Sequence, residues 1–220
     1  MKLVLASGSQ RRRELLTMCG YDYEIIVSNA DETIDENDPE SFVRALSFRK
    51  AKEVFDRLFA AGRRDFAVIG SDTVVAFQKE GETKPVIIGK PKDAKDAVRI
   101  LSMLSGKTHR VFTGVSVIAD IPDENADAQC SIQEKAEIQT ECSITEVTFE
   151  TLSPDEITDY VNSGDPLDKA GSYGIQGPFG MFVREIRGNY FTVIGMPIPV
   201  LYKMLKKIGI LPHGFYERIE

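Results

Sequence analysis

The sequence predicts an α/β protein with a twisted mixed β-sheet flanked by helices. Short apolar, strand-like runs alternate irregularly with segments of helical spacing, which suits a mixed sheet better than a regular parallel one. Glycine and proline turn signals punctuate the boundaries. No internal repeat or heptad run is present, so a solenoid or coiled coil is excluded. At 220 residues, with 42% hydrophobic and 28% charged residues, the chain can bury a core without disulfides or structural metal.

Taken in order, Lys2 to Ala6 reads as a short buried strand and Ser7-Gly8-Ser9 as a turn ending in an N-cap residue. Gln10 to Cys19 has helical spacing, with Leu15, Leu16 and Cys19 on one side and Gly20 as its stop. Tyr23 to Val27 is a strand, Ala30 to Asp38 an acidic loop, and Pro39 opens a helix to about Phe59. Phe66 to Phe77 is strand-like, interrupted by Gly70-Ser71-Asp72-Thr73. Val86 to Ile88 is a short strand, Asp93 to Leu104 a helix and Arg110 to Ala119 a long strand. Pro122 to Gln139 is polar and reads as a surface excursion or hairpin tip. Cys142 to Phe149 alternates as a strand, and Ser153-Pro154-Asp155-Glu156 starts a helix that Gly164 ends. Lys169 to Gly180 is a glycine-rich loop. Met181 to Ile186 and Tyr190 to Ile194 read as a hairpin about Arg187-Gly188-Asn189, and Pro199 to Ile208 as the last helix.

The composition excludes several classes. A formal charge of −7 does not suit a general nucleic-acid binder, whose affinity comes from neutralising phosphates. Basic groups for an anionic ligand would have to be concentrated locally. Cys19, Cys130 and Cys142 are too few and scattered for a disulfide framework or zinc site. The longest apolar run near the start, Leu3 to Ala6, is too short for a signal-peptide core, and no run approaches the roughly 18 residues needed to span a bilayer. With no Asn-x-Ser/Thr sequon, a soluble, reducing, cytoplasmic setting without membrane attachment is the expectation.

Four segments carry candidate chemistry. In Ser7 to Leu16, a strand leads through a small-residue turn into a helix whose free N–H groups and positive dipole end suit phosphate. Arg11, Arg12 and Arg13 oppose that dipole and destabilise the helix unless an anion lies nearby; the plain alternative is a solvated basic face. In Val68 to Val75, Asp72 sits within an apolar run, where a carboxylate is costly to bury unless paired or bound to a cation. It reads as a metal ligand or base, or else as a turn aspartate. In Ile87 to Pro91, Lys90 could point into a cleft, although an exposed turn lysine is the simpler reading; Lys50 and Lys52 read as the polar side of a helix. In Asp165 to Gly177, Gly171, Gly174 and Gly177 permit close backbone approach, Tyr173 offers an apolar face with a polar tip, and Gln176 offers an amide able to read a base edge. Ser105-Gly106-Lys107-Thr108 is a decoy. The glycine a P-loop requires would fall at Leu101, and a helix precedes it where a strand is needed.

Together these segments resemble the Maf-like nucleoside triphosphate pyrophosphatases, relatives of the inosine triphosphate pyrophosphatase fold. The resemblance runs through LASGSQRRRELL, the Asp31-Glu32 pair, LSFRKAK, VIGSDTVV, GKPKD, LSGKTHRVFTGV, DKAGSYGIQG and FVREIRGNYFTVIGMPI. One departure is Gln10, where the family usually has proline. The resemblance implies one domain over 1–220, two lobes around a deep central cleft, and a surface excursion near 120–139. It implies hydrolysis of a nucleoside triphosphate to the monophosphate and pyrophosphate, which cleans the nucleotide pool, with a divalent cation, normally Mg²⁺. Asp72 matches the catalytic aspartate, and Glu32 an acidic residue that helps hold the metal with it. Ser7, Arg11, Arg12, Lys50 and Lys90 match the groups around the phosphates. Arg11, Thr73 and Gln176 match the positions marking the branch that acts on dTTP and UTP, with modified pyrimidine nucleotides also in view. A homodimer is implied as well. Two alternatives stay open: a 7-methyl-GTP-type pyrophosphatase, and a non-catalytic nucleotide-binding regulator of cell division.

Overall fold

A computed structural model describes residues 1–79, 81–121 and 136–214. Among them, one seven-stranded mixed sheet forms the centre. The strands are β1 (Lys2–Leu5), β2 (Tyr23–Ile25), β3 (Phe66–Phe77), β4 (Val86–Ile88), β5 (Thr108–Asp120), β6 (Ala136–Phe149) and β7 (Val183–Arg187). The helices are α1 (Gln10–Met18), α2 (Pro39–Ala60), α3 (Ala94–Leu104), α4 (Pro154–Asn162), α5 (Tyr190–Ile194) and α6 (Ile198–Lys207). The strand order is β2-β1-β3-β5-β6-β7, with β4 also on β3. β1 runs parallel to β2 and β3, and the other pairings are antiparallel.

Side chains alternate across the strands and so sort the core by face. Leu3, Leu5, Ala67, Ile69, Val115 and Val117 pack on one face with α1 and α6. Farther along that face, Val75, Phe77, Val111, Val147 and Phe149 pack with α3, α4, Tyr173 and Phe179. These two clusters are the cores of two lobes. On the opposite face, Val4, Val68, Val74, Ala76 and Phe112 meet α2.

The ladder explains where the opening lies. β1 pairs with Phe66 to Ile69 of β3, and β4 pairs on the same edge with Val75 to Phe77. Positions 70–74 between them have no strand neighbour on that edge among the described residues, and Asp72, Thr73 and Val74 line a cleft there. α2 crosses the other side of the same stretch closely. A Cβ on Gly70 would lie 2.1 Å from the Ser47 carbonyl oxygen, and one on Gly114 would lie 2.2 Å from that of Val43.

Two expectations need correction. β3 is continuous through Gly70 to Thr73, because Gly70 to Thr73 keep their ladder to β5. The expected hairpin over 181–194 is instead strand β7 followed by helix α5. Asn189 caps α5 by accepting a hydrogen bond from Phe191 N–H at 2.8 Å, and Gly195 ends it at φ +113°. Of the excursion expected over 122–139, residues 122–135 lie outside the described residues, and 136–139 belong to β6.

The α3/α4 lobe contains a buried histidine. His109 Nε2 shares a 3.0 Å hydrogen bond with the Tyr173 hydroxyl, and Phe149 packs edge-on against its ring. Burial pushes its pKa down to about 3, against an ordinary value near 6.5. Between those values the unfolded chain binds the extra proton and the native one does not. Stability is therefore intact above pH 6.5 and falls as pH drops toward 3, at up to about 1.4 kcal/mol per pH unit. Thermal melts from pH 7 to 4.5 are expected to fall less steeply for His109→Gln than for the wild type. Parallel slopes would exclude His109 as the source.

Candidate active site

The carboxyl end of β1, the open edge of β3 and the turns after α4 bound one cleft of about 1260 Å³. A cleft beyond the carboxyl ends of strands is where open α/β sheets bind ligands. Ser7, Arg11, Arg12, Glu32, Lys50, Asp72, Thr73, Lys90 and Gln176 all line it. The sequence spreads these positions over 170 residues, and the fold brings every one of them together.

Asp72 points from β3 toward α2, where Lys50 meets it. Lys50 Nζ lies 2.7 Å from Asp72 Oδ1 and 2.9 Å from Glu32 Oε1. The Lys50 and Asp72 side chains are 11% and 12% exposed, whereas Glu32 is 67% exposed. The cost of burying Asp72 is thus offset by a paired ammonium rather than left uncompensated. Removing Lys50 would strand the nearly buried Asp72 carboxylate, whereas loss of the Asp72 charge would still leave Lys50 paired with Glu32.

Thr73, the next residue, points to the opposite face, toward α1. Arg12 donates from Nε to the Gly195 carbonyl at 2.9 Å and from Nη1 to Ser7 Oγ at 3.0 Å, and its Nη2 reaches Thr73 Oγ1 at 3.4 Å. Thr113 donates its one hydroxyl proton to the Thr192 carbonyl at 2.7 Å, so Thr73 donates to Thr113 and presents a lone pair to Arg12. Burial pulls the Arg12 guanidinium below its ordinary pKa, and Asp72 acts in the opposite direction. Gly195, the residue that ends helix α5, supplies the carbonyl that aims Arg12.

At the start of α1, Ser9 makes no side-chain cap and the first turn holds no acidic residue. Ser9, Gln10 and Arg11 line the cleft, so the uncapped helix end opens onto it. Arg11 and Lys90 have no hydrogen bond or ion pair among the described residues. They stand at the cleft wall without a direct partner among the described residues, with Arg11 near enough to Asp168 to act on its charge, and are suited to an anion.

Among the described residues no group of three or more His, Cys, Asp and Glu is placed to hold a metal alone. Two carboxylates do converge on one point, which the Lys50 ammonium marks. Lys50 engages one oxygen of each and leaves the other oxygen of each without a partner among the described residues. An oxygen-only pair completed by water or ligand phosphate suits Mg²⁺, which is commonly held by one or two carboxylates plus substrate oxygens.

Sequence reasoning gave no role to Asp165, Asp168 and Lys169, which also line the cleft. Lys169 Nζ pairs with Asp165 Oδ1 at 3.0 Å and Asp168 Oδ1 at 2.7 Å. Charged residues inside a glycine-rich loop were the available signal. No helix among the described residues is long and apolar enough to cross a membrane.

The family model described as "Maf-like protein" matches residues 2–208. The dTTP/UTP pyrophosphatase of Agathobacter rectalis is 39% identical over 217 residues, covering 95% of this chain and 98% of the relative. That of Bacillus thuringiensis subsp. konkukian is 42% identical over 210 residues, covering 95% and 96%. Among solved structures, the Staphylococcus aureus Ham1 protein matches at TM-score 0.50 and 15% identity, covering 94% of this chain and all of that one. At that identity the likeness concerns fold, and it agrees with the mixed α/β sheet. With the family match spanning nearly every described residue and near-full-length relatives at about 40% identity, the chain belongs to the Maf-like protein family.

Proposed function

We propose that this chain hydrolyses nucleoside triphosphates to the monophosphate and pyrophosphate, with dTTP and UTP as its main substrates and modified pyrimidine triphosphates as further ones. The observation that carries this reading is the convergence of Asp72, Lys50, Glu32, Arg11, Arg12 and Lys90 on one cleft. The relatives named dTTP/UTP pyrophosphatase support the choice of base.

Opening a phosphoanhydride leaves the protein little covalent chemistry, so positioning and charge neutralisation dominate. Arg11 and Lys90 meet the phosphate oxygens, and Arg12, with its orientation set by Gly195 and Ser7, supplies a fixed edge of the same wall. Lys50 holds Asp72 through Oδ1 and leaves Oδ2 to accept a proton from water directed at the α–β bridge. Water opens that anhydride, the pyrophosphate departs with the bridging oxygen's electrons, and the proton is held at Asp72 Oδ2. The free oxygen of Glu32, together with substrate phosphate oxygens, would hold Mg²⁺, which when bound neutralises phosphate charge and leaves Asp72 Oδ2 free for the proton. Gln176, on the turn at the cleft rim, offers an amide to the pyrimidine edge. A role in cleaning the nucleotide pool, a cytoplasmic setting and a homodimer belong to this reading, as the family resemblance implies.

Incubation with dTTP and Mg²⁺ is expected to yield dTMP and pyrophosphate, resolved by anion-exchange chromatography. Primary release of dTDP and free phosphate would mean that the wrong bond is cut. A panel including UTP, dGTP and 7-methyl-GTP should favour the pyrimidines, and Gln176→Glu should change the relative rates. Unchanged ratios in that variant would remove Gln176 from base selection.

A further inference from the structure

The turn that carries Gln176 is tied down by Tyr160 of α4 and, through it, by the Asp165–Lys169 pair at the cleft wall. Gly177 N–H donates to the Gly174 carbonyl at 3.2 Å, so the turn over 174–177 is fixed by the position of Gly174. Gly174 is buried, whereas Gln176 is exposed at the rim. Gly174 N–H donates in turn to the Tyr160 hydroxyl at 3.0 Å. Tyr160 stands on α4, whose start is secured by a capping box between Ser153 and Glu156. Its hydroxyl donates to Asp165 Oδ2 at 2.5 Å, and Asp165 Oδ1 is paired with Lys169 Nζ at 3.0 Å. The Lys169 stem lies against Gly174. A Cβ there would sit 2.7 Å from Lys169 Cε and 3.2 Å from Asp165 Oδ2, so a larger residue would push the lysine stem aside.

We propose that Tyr160 is a positioning residue for nucleotide base recognition: its hydroxyl, held by the Asp165–Lys169 pair, pins Gly174 and thereby sets where Gln176 meets the base. This rests on the proposed pyrophosphatase reading and deepens it. The hydroxyl does two jobs that need one orientation. It accepts from a buried backbone N–H and donates to a carboxylate, and a charge-assisted bond of that kind holds direction well. Burial, and then the bond to Asp165, push the Tyr160 pKa upward, so the phenol stays a donor across the working pH range. The chemistry lies elsewhere, at Asp72 and Lys50 on β3 and α2, so the pin should govern recognition and spare the hydrolytic step.

Tyr160→Phe keeps the ring and its packing on Phe179, 4.8 Å between centroids, and deletes only the hydroxyl. It strands the Gly174 N–H and releases the turn. The expected result is a rise of about tenfold in KM for dTTP, from the loss of a charge-assisted hydrogen bond. The preference for dTTP over dGTP in kcat/KM should fall by a similar factor, while kcat for dTTP changes less than about threefold. Asp165→Ala, in a partly exposed residue outside the core, should move KM and base preference the same way. If both variants keep KM and base preference within about twofold of the wild type, the inference is overturned while the pyrophosphatase reading stands. Equal loss of kcat and kcat/KM for every nucleotide, with a lowered melting temperature, would mean a merely structural role and also overturns it. A wild-type protein that turns over no nucleoside triphosphate removes the underlying reading, and the inference with it.

Discussion

Asp72→Asn is expected to lower dTTP turnover by about 10²- to 10⁴-fold, the range associated with losing a positioned general base. Asparagine is nearly isosteric, and its carbonyl oxygen can still accept from Lys50 Nζ, which lies 2.7 Å from Oδ1 in the wild type. The fold and the phosphate wall should therefore survive, and nucleotide affinity measured by titration calorimetry should stay within about an order of magnitude. What disappears is the negative charge at Oδ2, the atom free to take a proton from water. Near-wild-type turnover would exclude Asp72 from the chemistry. Loss of binding in step with turnover would reassign it to substrate capture.

Gly70→Ala is expected to have the largest effect on stability, with Gly114→Ala close behind. The new methyl at position 70 would lie 2.1 Å from the Ser47 carbonyl oxygen and 2.7 Å from the Ala51 amide nitrogen. Both are backbone atoms of α2, so no rotamer change relieves the clash and the helix must shift. Overpacking of this kind costs about 1–3 kcal/mol or more, and a backbone collision belongs at the upper end. A loss of about 3 kcal/mol would lower Tm by roughly 6–12 °C for a domain of this size. Activity should fall too, because α2 carries Lys50. Gly8→Ala is the control: its Cβ would meet only Val27 Cγ2 at 3.5 Å, an ordinary contact. Matching melting curves for all three variants would refute the close-approach argument.

The same glycine shows why part of the fold was hard to read from the sequence. Gly70-Ser71-Asp72-Thr73 has the composition of a turn, yet it runs as unbroken strand because a helix backbone needs that surface bare. A tertiary contact decided the matter, and a single sequence does not display its contacts. The burial argument for Asp72 held in its physics, since the charge does have a partner. The partner is 22 positions away on a helix, where Lys50 looked like solvent-facing surface. Tyr190 to Ile194 shows the opposite error. Its aromatic and β-branched residues favour strand, but Asn189 and Gly195 form a readable start and stop that outweighed propensity. The element cores over 39–60, 94–104 and 154–162 were legible because caps and period agreed there, and 2–5 because a short apolar run ends at a small-residue turn. The Tyr160–Asp165–Lys169 chain was not, because its meaning lies in hydrogen bonds between a helix and a loop.

β3 and β5 share ten consecutive register pairs, from Ala67↔Ala119 to Ala76↔Arg110, and that ribbon passes under both lobes. A clamshell motion would have to shear it. The active site is better pictured as an anvil, and adaptation to an incoming molecule falls on individual rotamers. On the proposed function, Arg11 and Lys90 give up their freedom on capture, at about 1.5–2 kcal/mol each. The cost of capture on that reading falls on ordering two long side chains rather than on moving a hinge.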